Sequence, residues 1–429
     1  MQKKVNTKLG NAQEIIKQYG LTGSDFNNDE IIRFRNQVTV LKDTRHHSYV
    51  RHKISDVLVI VVLALLADAD EWTKIEDFAR KKEKWLREFL DLEHGIPSHD
   101  TIQFVLSILD PHQLSQICLK FLMDKIEALS EMKRRENPFK KPDTDIVSID
   151  GKTSRGSAGN ITGQEECRPL HTLNAVSSSY GICIGEVFVP DKTNEIGAVE
   201  DLLEILDVEG AVVTWDALNT QKKNIENVID KKGDYVVALK GNHPNLHEEI
   251  RDYFNDEVLW LNNPLASFHK TVDKERSSIV TREYILSKEI DWIYDKKSWK
   301  GLGAIGCVRR SVIQMNGETT FEKQYYLSSI TDVDLFARSA RQHWSVESFH
   351  WQLDVIFRDD LNNTREKKSA KNLQIMKKTA LAILKIVQPL YNKSMKRIRY
   401  SLSLDFENEI ENIFSALDIE KVKSQLEGK

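Results

Sequence analysis

Apolar positions over the first 140 residues recur at the spacing of amphipathic and buried helices. This spacing predicts three helices, over 54–67, 72–90 and 101–129. The most apolar run, Val57 to Ala67, is too short to span a bilayer and is typical of a buried helix. Between the second and third helices, the segment GIPSHDT predicts a loop, with Ser98 or Asp100 available as the N-cap of the next helix. The pattern therefore predicts an all-helical N-terminal region.

A charged, proline-containing stretch at 133–143 indicates a linker, and after it the pattern changes to short apolar runs. Two of these runs flank a Tyr-Gly pair and predict a hairpin. The predicted strands cover 146–151, 170–179, 182–190, 210–217 and 234–241, and the predicted helices cover 195–206 and 220–230. The order β-β-β-α-β-α-β predicts the mixed sheet of an RNase H-like α/β fold.

A third pattern of apolar and polar positions, rich in predicted strands, begins at residue 245. The runs RSSIVTREYILS, GAIGCVRRSVIQM and EKQYYLSSI predict further strands, which we interpret as a β-rich insertion at 245–327. From Val333 onward the pattern is helical again, with the longest predicted helix over about 334–357. The predicted domains are a helical domain at 1–140, an RNase H-like α/β domain with its insertion at 141–388, and a C-terminal helical tail at 389–429.

Composition limits the class of protein. A chain of 429 residues is long enough for two or three domains, and 40% apolar with 29% charged residues is typical of a globular protein. The four cysteines are scattered and form no CxxC pair, so we expect no zinc site, no disulfide framework and a cytoplasmic location. The N-terminal segment MQKKVNTKLGNAQ has no apolar core, so we expect no signal peptide and no membrane partner.

Charge is distributed unevenly along the chain. The net charge of −4 and pI of about 6.3 lack the basic footprint of many nucleic-acid-binding proteins. Between Arg365 and Arg399, however, eleven Lys or Arg residues stand against one acid, Glu366, and from Ser401 onward seven acids stand against three lysines. The basic segment has two interpretations, a solvated helix face or a contact with DNA, and its charge alone does not decide between them.

Three acids occupy positions suited to metal binding. Asp150 and Asp216 each end a predicted strand, and Glu347 lies in a predicted helix. Ligands of open α/β sheets gather at the carboxyl ends of the strands. Mg²⁺ prefers hard oxygen ligands, and two such ions about 4 Å apart activate the attacking oxygen and stabilise the leaving oxygen in phosphodiester chemistry. These three carboxylates are therefore the candidate catalytic residues and the candidate ligands of two Mg²⁺ ions.

Each acid also has a simpler structural interpretation. The Asp-Gly pair at Asp150 is common in tight turns, although no second strand is predicted within two residues. Asp216 is a possible helix cap, although Asn219 and Thr220 are better placed to cap the following helix. Glu347 is a possible surface acid. Taken singly, each acid fits a structural role better, whereas together on this strand order they favour catalysis.

The helix around Glu347 carries two stripes. Glu347 shares one with Trp344, Trp351 and Asp354, which predicts that the glutamate is partly buried and needs a partner. The neighbouring stripe is apolar and consists of Val346, Phe349, Leu353 and Ile356. His343 and His350 flank the acid, but their spacing is not that of an HExxH zinc site, and we expect them to pack or to bond to carboxylates.

Several separated motifs resemble a known family. The chain resembles the ISAs1 family of bacterial insertion-sequence transposases, which includes the H-repeat-associated proteins, over about residues 38 to 385, and more distantly the IS4-like group. The N-terminal motifs are ADADEWTKIEDFARKKEKWLREFL and GIPSHDTIQFVLSILDP. The catalytic motifs are SIDGKTSRGS (148–157), VVTWDALNTQ (212–221), GDYVVALKGNHPNL (233–246), YYLSSI (325–330) and RQHWSVESFHWQLDVIFRDD (341–360).

The resemblance implies a DDE catalytic triad of Asp150, Asp216 and Glu347 that binds two Mg²⁺ ions, with Mn²⁺ as an expected substitute. Residues at neighbouring family positions are expected to bind DNA phosphates, and these are Lys152, Arg155, Lys240, Asn242 and Arg341. Others are expected to surround the triad, and these are His343, Trp344, Trp351 and Asp354. The IS4-like signature Y-R-E-K is absent, because Ala340, His343 and Asp354 occupy its other three places.

The implied function is that of a DNA transposase. It would cut DNA at the inverted-repeat ends of its element and join the freed ends to target DNA, as a homodimer in the synaptic complex. The N-terminal helices and the segment Arg365–Arg399 are the candidates for DNA binding, and a helix-turn-helix within 95–125 is as compatible with the pattern as plain packing. Two alternatives stay open, a domesticated or inactive transposase-derived DNA-binding protein and an RNase H-like metal-dependent nuclease with another substrate.

Overall fold

Helices surround one end of a long mixed sheet in this computed structural model, which describes residues 29–136, 144–158, 168–189, 195–275, 277–391 and 393–417. The N-terminal helices are α1 (Asp29–Val38), α2 (Ile54–Leu66), α3 (Trp72–Lys81), α4 (Glu83–Leu86), α5 (His99–Ile108) and α6 (Pro111–Glu136). The helices of the catalytic region are α7 (Glu195–Ile205), α8 (Lys222–Asp230), α9 (Pro244–Asn255), α10 (Glu257–Trp260), α11 (Val333–Gln342) and α12 (Trp344–Ile356). The C-terminal helices are α13 (Lys367–Tyr391), α14 (Met395–Leu404) and α15 (Phe406–Leu417).

The predicted N-terminal helices are confirmed, but two of them are divided. The chain between α5 and α6 is extended at Leu109, and α6 begins at Pro111, which has no N–H to continue a helix and disfavours a helical residue before it. The predicted N-cap is confirmed at Ser98, whose hydroxyl accepts a hydrogen bond from the Thr101 N–H at 3.3 Å. The predicted linker at 133–143 begins within α6, which extends to Glu136, and its residues 137–143 lie outside the described ranges.

The described strands form one nine-stranded sheet. They are β1 (Ile146–Ser154), β2 (Leu170–Ser177), β3 (Ile182–Val189), β4 (Val212–Trp215), β5 (Asp234–Leu239), β6 (Ala266–Glu275), β7 (Ser278–Ser287), β8 (Ala304–Ile313) and β9 (Thr319–Ser328). Their order is β3-β2-β1-β4-β5-β9-β8-β7-β6. The first three strands are antiparallel, and β1, β4 and β5 are parallel, which confirms the predicted RNase H-like arrangement.

The predicted β-rich insertion continues the catalytic sheet. Strand β9 pairs antiparallel with β5, and β8, β7 and β6 follow it as a meander. Strand β6 was not predicted, because its sequence ASFHKTVDKE carries few apolar residues, as befits a mostly exposed strand at the sheet edge. The predicted hairpin between β2 and β3 is confirmed, and Gly181 takes the positive φ of +69° at its turn.

The predicted helix over 334–357 is wrong in its length. It consists of α11 and α12, which meet at His343, and the longest described helices are α6 with 26 residues and α13 with 25. The junction places the His343 ring against the sheet, where its Nδ1 lies 3.2 Å from the Thr214 hydroxyl of β4.

One apolar core joins the N-terminal and C-terminal helices. All thirteen residues of α2 are buried, and α13 packs against α2, α5 and α6. Buried side chains of α12, α14 and α15 belong to the same core. The division of the chain at 140 and 388 stays a prediction, since the helices on either side of the catalytic sheet bury their apolar faces together.

The basic segment 365–399 lies largely inside this helical body. Lys377, Lys378 and Arg399 are buried and pair with Asp359, Glu186 and Asp70, respectively. Lys385 donates to the carbonyl of Gly181 on the β2–β3 turn. Three of the eleven cations of this segment, Lys377, Lys378 and Arg399, are therefore interior ion-pair partners rather than part of a solvated or DNA-binding face. Others, such as Lys368 and Arg397, are exposed, and a DNA contact through them stays a prediction.

Candidate active site

Asp150 and Asp216 lie side by side at the end of a parallel strand pair. In the register of β1 and β4, Ile149 pairs with Trp215, so each aspartate is the residue that follows the last pair. Neighbouring strands are about 4.8 Å apart, which brings the two carboxylates to one point on the sheet. The prediction that Asp150 ends its strand is wrong, because β1 continues to Ser154 along β2. The prediction that parallel strands bring both acids together is supported by this register.

Asp216 also caps a short 3-10 helix, Ala217–Asn219. Its Oδ1 accepts hydrogen bonds from the Asn219 backbone N–H at 3.3 Å and from the Asn219 side-chain amide at 3.2 Å. The expectation that Asn219 or Thr220 caps the next helix is wrong, since α8 begins after Gln221 without a side-chain cap. The capping bonds hold the Asp216 carboxylate in one orientation, so its structural role as a cap is compatible with the predicted catalytic role.

Glu347 stands in the first turn of α12 and is exposed. The apolar stripe beneath it is confirmed, because Val346, Phe349, Leu353 and Ile356 are all buried. The prediction that tryptophans bury the glutamate is wrong, since Trp344 and Trp351 are themselves 50% and 59% exposed. The cavity wall still removes enough water to raise the pKa of Glu347 by desolvation. Desolvation therefore disfavours the charged form of Glu347, which a nearby cation would stabilise.

All three acids line one open cavity of about 400 Å³. Three further residues predicted from the sequence line it with them, Lys240, His343 and Trp344. Sequence reasoning missed the contributions of α9 and β9, which are His247, Glu322, Lys323, Gln324, Tyr325 and Tyr326. The motif YYLSSI was the available signal, because β9 pairs with β5 and so carries this motif beside the acids.

The other predicted DNA-binding residues lie elsewhere. Lys152 is buried and forms an ion pair with Asp354 of α12, with the Asp359 carboxylate 3.8 Å away. The Asn242 amide donates to the Ala217 carbonyl at 2.6 Å and so fastens the loop after β5 to the turn after Asp216. These positions support a scaffolding role for Lys152 and Asn242 rather than the expected phosphate contacts, with Asp354 as the partner of Lys152.

Two predicted arginines are exposed outside the cavity. Arg155 follows β1, and its backbone N–H donates to Asp360 at 3.0 Å. Arg341 lies 3.2 Å from Glu275 in an adjoining groove that Arg282 and Arg310 also line. Trp344 borders both this groove and the cavity with the acids. The groove therefore continues the cavity across the face of the insertion.

The two histidines near Glu347 are neutral. Burial, followed by the charge of Lys240, lowers the pKa of His343 to about 4. Burial, followed by the charges of Lys152 and Lys378, lowers the pKa of His350 to about 3. Since His350 Nδ1 lies 3.6 Å from Asp150 Oδ2, the expectation that it associates with a carboxylate is supported, and His343 instead meets a hydroxyl.

The donor set fits divalent cations in its chemistry. Carboxylate oxygens are the ligands that Mg²⁺ and Mn²⁺ accept, and two of the three carboxylates are held by the strand register itself. Within the described ranges, no group of three or more His, Cys, Asp or Glu side chains is closely enough arranged to hold a metal ion. Asp150, Asp216 and Glu347 thus share a cavity as candidate ligands without forming a closed three-ligand cluster.

Comparisons with known proteins decide the family. Residues 141–384 match the model described as "Transposase DDE domain", and residues 36–122 match the model described as "DDE_Tnp_1-associated". The chain belongs to the DDE transposase family. It is a DNA transposase, an enzyme that cuts DNA and transfers strands.

Relatives of this transposase are known from Escherichia coli. "Putative transposase YncI" of strain O157:H7 is 33% identical over 377 residues, covering 86% of this chain and 91% of that one. "H repeat-associated putative transposase YhhI" of strain K12 is 30% identical over 362 residues, covering 83% and 91%. A piggyBac transposase in a synaptic complex with hairpin DNA aligns with a TM-score of 0.36 and 11% identity, over 100% of this chain and 84% of that one. Assignment to the ISAs1 family stays a prediction.

The transposase shows no membrane-crossing element in the part of the chain that is described. Each described helix is either too short or too polar to traverse a bilayer. The apolar helix α2, with thirteen residues, is instead the buried centre of the helical core, as the sequence predicts.

Proposed function

We propose that this transposase cuts the inverted-repeat ends of its element and joins the freed 3′-hydroxyl to target DNA, with Asp150, Asp216 and Glu347 as the catalytic carboxylates. The observation that carries the proposal is the register of β1 and β4, which sets the two aspartates side by side. Glu347 faces the same cavity from α12. The three side chains would hold two divalent cations, which supply Lewis-acid activation of the attacking and leaving oxygens.

The chain's own residues supply binding and orientation. Lys240 is exposed in the cavity, where its ammonium is placed to attract a phosphate of the bound strand. Trp344 offers a half-exposed ring at the rim, a surface suited to a sugar or a base. His343 holds the start of α12 against β4, and Asn242 holds the loop after β5 against the turn that follows Asp216, and both contacts would restrain the acids. In-line phosphoryl transfer needs such positioning and no covalent protein nucleophile.

The N-terminal helices offer a second surface for DNA. A groove of about 580 Å³ is lined by Arg45, His46, Tyr49, Arg51, His52, Ser98, Thr101 and Phe104, and we name it the N-terminal groove. Tyr49 and Phe104 are 80% and 52% exposed. Arg51 is exposed, whereas the Arg45 guanidinium donates hydrogen bonds to Asp43 and to the His52 carbonyl. An exposed cation beside exposed aromatic rings suits a DNA backbone, so this groove is a candidate surface beside the exposed cations of the segment 365–399.

The decisive experiment is plasmid cleavage with Mg²⁺ on a substrate that carries the gene's native flanking ends. The wild type is compared with Asp150→Asn, Asp216→Asn and Glu347→Gln, and with Glu322→Gln as a matched control from the same cavity wall. We expect cuts at the element ends and later joined products from the wild type and the control alone. Equal cleavage by the three variants would refute the assignment of the catalytic carboxylates.

The same experiment separates the alternatives. A transposase-derived protein without activity would bind the ends and leave them uncut, and a nuclease of the same fold would cut without joining. We further propose that the enzyme acts in the cytoplasm. We also propose that it acts as a homodimer, because two element ends must be cut together. Sedimentation of the protein with and without end DNA tests the dimer, and a monomer on paired ends would contradict it.

A further inference from the structure

We propose that His350 is a positioning residue, whose Nδ1–H is directed at the Asp150 carboxylate by a buried hydrogen-bonded chain through Asn174 and Lys378. The inference rests on the proposed catalytic role of Asp150 and deepens it. Asn174 is the direct cross-strand neighbour of Asp150 in the β1–β2 register. His350 lies on α12, with Nδ1 3.6 Å from Asp150 Oδ2 and with its side chain only 12% exposed.

The identity of each atom in the chain follows from what it contacts. The Lys378 ammonium, which can only donate, lies 2.6 Å from one terminal atom of the Asn174 amide, so that atom is the oxygen. The amide nitrogen therefore faces the other way, 3.0 Å from His350 Nε2 and 3.3 Å from the Thr172 carbonyl. Because the amide nitrogen can only donate, Nε2 must accept.

This acceptor role fixes the tautomer of His350. A neutral imidazole carries a single N–H, so when Nε2 accepts, the hydrogen is on Nδ1. Nδ1 is the ring atom that faces Asp150. The opposite tautomer would point a lone pair at the carboxylate and repel it. Through the Asn174 amide and the His350 ring, the Lys378 ammonium thus determines that an N–H, and not a lone pair, faces the Asp150 carboxylate.

The far end of the chain is anchored as well. Lys378 forms a buried ion pair with Glu186 of β3, and the Ser115 hydroxyl of α6 donates to the same carboxylate at 2.8 Å. Asn174 is fully buried, and Lys378 and Glu186 are less than one-tenth exposed. Burying an ion pair costs about as much desolvation energy as it returns in attraction, so packing alone would be served equally well by apolar side chains. The hydrogen-bonded chain from this ion pair to His350 indicates a further role for the pair, which is to fix the tautomer of His350.

Two substitutions of His350 separate positioning from packing. In His350→Asn the amide nitrogen takes the place of the imidazole Nδ1 and can still donate to Asp150. In His350→Gln the amide nitrogen takes the place of Nε2, and no donor remains at the position of Nδ1. Both substitutions replace a buried ring by a smaller side chain. If His350 served packing alone, the two variants would therefore lose stability and Mn²⁺ affinity to a similar extent. Partners that orient metal ligands change metal affinity by about 10–100-fold when they are lost.

The measurement is titration of the full-length protein with Mn²⁺, followed by the electron paramagnetic resonance of free Mn²⁺, beside thermal unfolding. We expect His350→Gln to weaken Mn²⁺ binding by about 10-fold or more and His350→Asn to stay within about 3-fold of the wild type. Their unfolding temperatures should fall to a similar extent. Equal Mn²⁺ affinities for the two variants, or wild-type affinity in His350→Gln, would overturn the proposal.

Asp150→Asn in the same titration separates this inference from the proposed function. If Asp150→Asn loses Mn²⁺ binding while the two His350 variants behave alike, positioning by His350 is refuted and the catalytic role of Asp150 stands. If Asp150→Asn binds Mn²⁺ and cleaves DNA as the wild type does, the proposed function itself is refuted. Lys378→Met removes the donor to Asn174 and is expected to weaken Mn²⁺ binding as His350→Gln does, and wild-type Mn²⁺ affinity in this variant would contradict the tautomer argument.

Discussion

Replacing Gly156 by alanine would force apart two backbone segments, the turn after β1 and the segment 359–362. Gly156 lies in the 3-10 turn Arg155–Ser157 that follows β1, within the motif SIDGKTSRGS. A Cβ built there would lie 2.4 Å from the Asp360 carbonyl oxygen and 2.9 Å from that of Asn362. Both obstacles are backbone atoms, which cannot rotate away as the end of a side chain can. The segment 359–362 would have to move by roughly 1 Å to restore ordinary contact.

The cost follows from what that movement disturbs. Overpacking a close-fitting site costs about 1–3 kcal/mol. The same segments are joined by bonds from the Arg155 N–H to Asp360 and from the Arg365 guanidinium to the Gly156 carbonyl, each 3.0 Å long. We therefore expect a loss of about 2–3 kcal/mol. For a cooperative unit of roughly 150–250 residues, this corresponds to a fall in Tm of about 4–12 °C.

Thermal unfolding of the purified variant, followed by circular dichroism, measures this loss. The matched control is Gly197→Ala in α7, where nothing lies within 4 Å of the added Cβ. Alanine in a helix is favoured over glycine by about 0.5–1 kcal/mol, so the control should melt at or above the wild-type temperature. A Gly156→Ala protein that melts within about 1 °C of the wild type would show that the two segments yield easily, and would refute the reasoning.

Three further predictions concern stability and DNA binding. Arg399→Met removes the buried guanidinium that pairs with the buried Asp70 and with the more exposed Asp68, and should cost about 3–5 kcal/mol, seen as a lower Tm, whereas exposed Arg397→Met should change little. Arg51→Ala in the N-terminal groove should weaken DNA binding and reduce its salt slope by about 1, measured by fluorescence anisotropy, and an unchanged slope would remove the residue from the interface. Bonds from His99 lower the Glu76 pKa from 4.5 to about 2, so its stabilisation is complete above pH 4.5 and lost as pH falls toward 2. Glu76→Gln should therefore lower Tm at pH 7, with the difference vanishing near pH 2.

The catalytic strands and their acids were predictable because their signals are local. Apolar runs that end at a carboxylate identify β1 and β4, and the motif order supplies the helix of Glu347. The exposure of Glu347 was not predictable in this way. A helical stripe reports which residues share a face, whereas burial of that face depends on what packs against it, and Trp344 and Trp351 face open space.

The buried cations were the other failure, and their cause is long-range. Lys377 and Lys378 resemble a solvated face in sequence, yet each meets a carboxylate that lies far away along the chain, Asp359 or Glu186. Such a pairing leaves no periodic signal, because the lysine and its partner belong to different elements. The tautomer-fixing contact between Asn174 and His350 is invisible to local pattern for the same reason, since the two residues are 176 positions apart.

The placement of α13 in the core of the N-terminal helices sets an order of events during synthesis. Helix α2 is finished at residue 66, but α13, which covers it, is complete only at residue 391. At ribosomal speeds of about 5–20 residues per second, roughly 15–65 s separate the two. For that interval the most apolar helix of the chain lacks the helix that covers it, and such transiently exposed apolar surface favours aggregation of the nascent chain. Gene fragments that stop before α13 would yield protein that is degraded rather than stored.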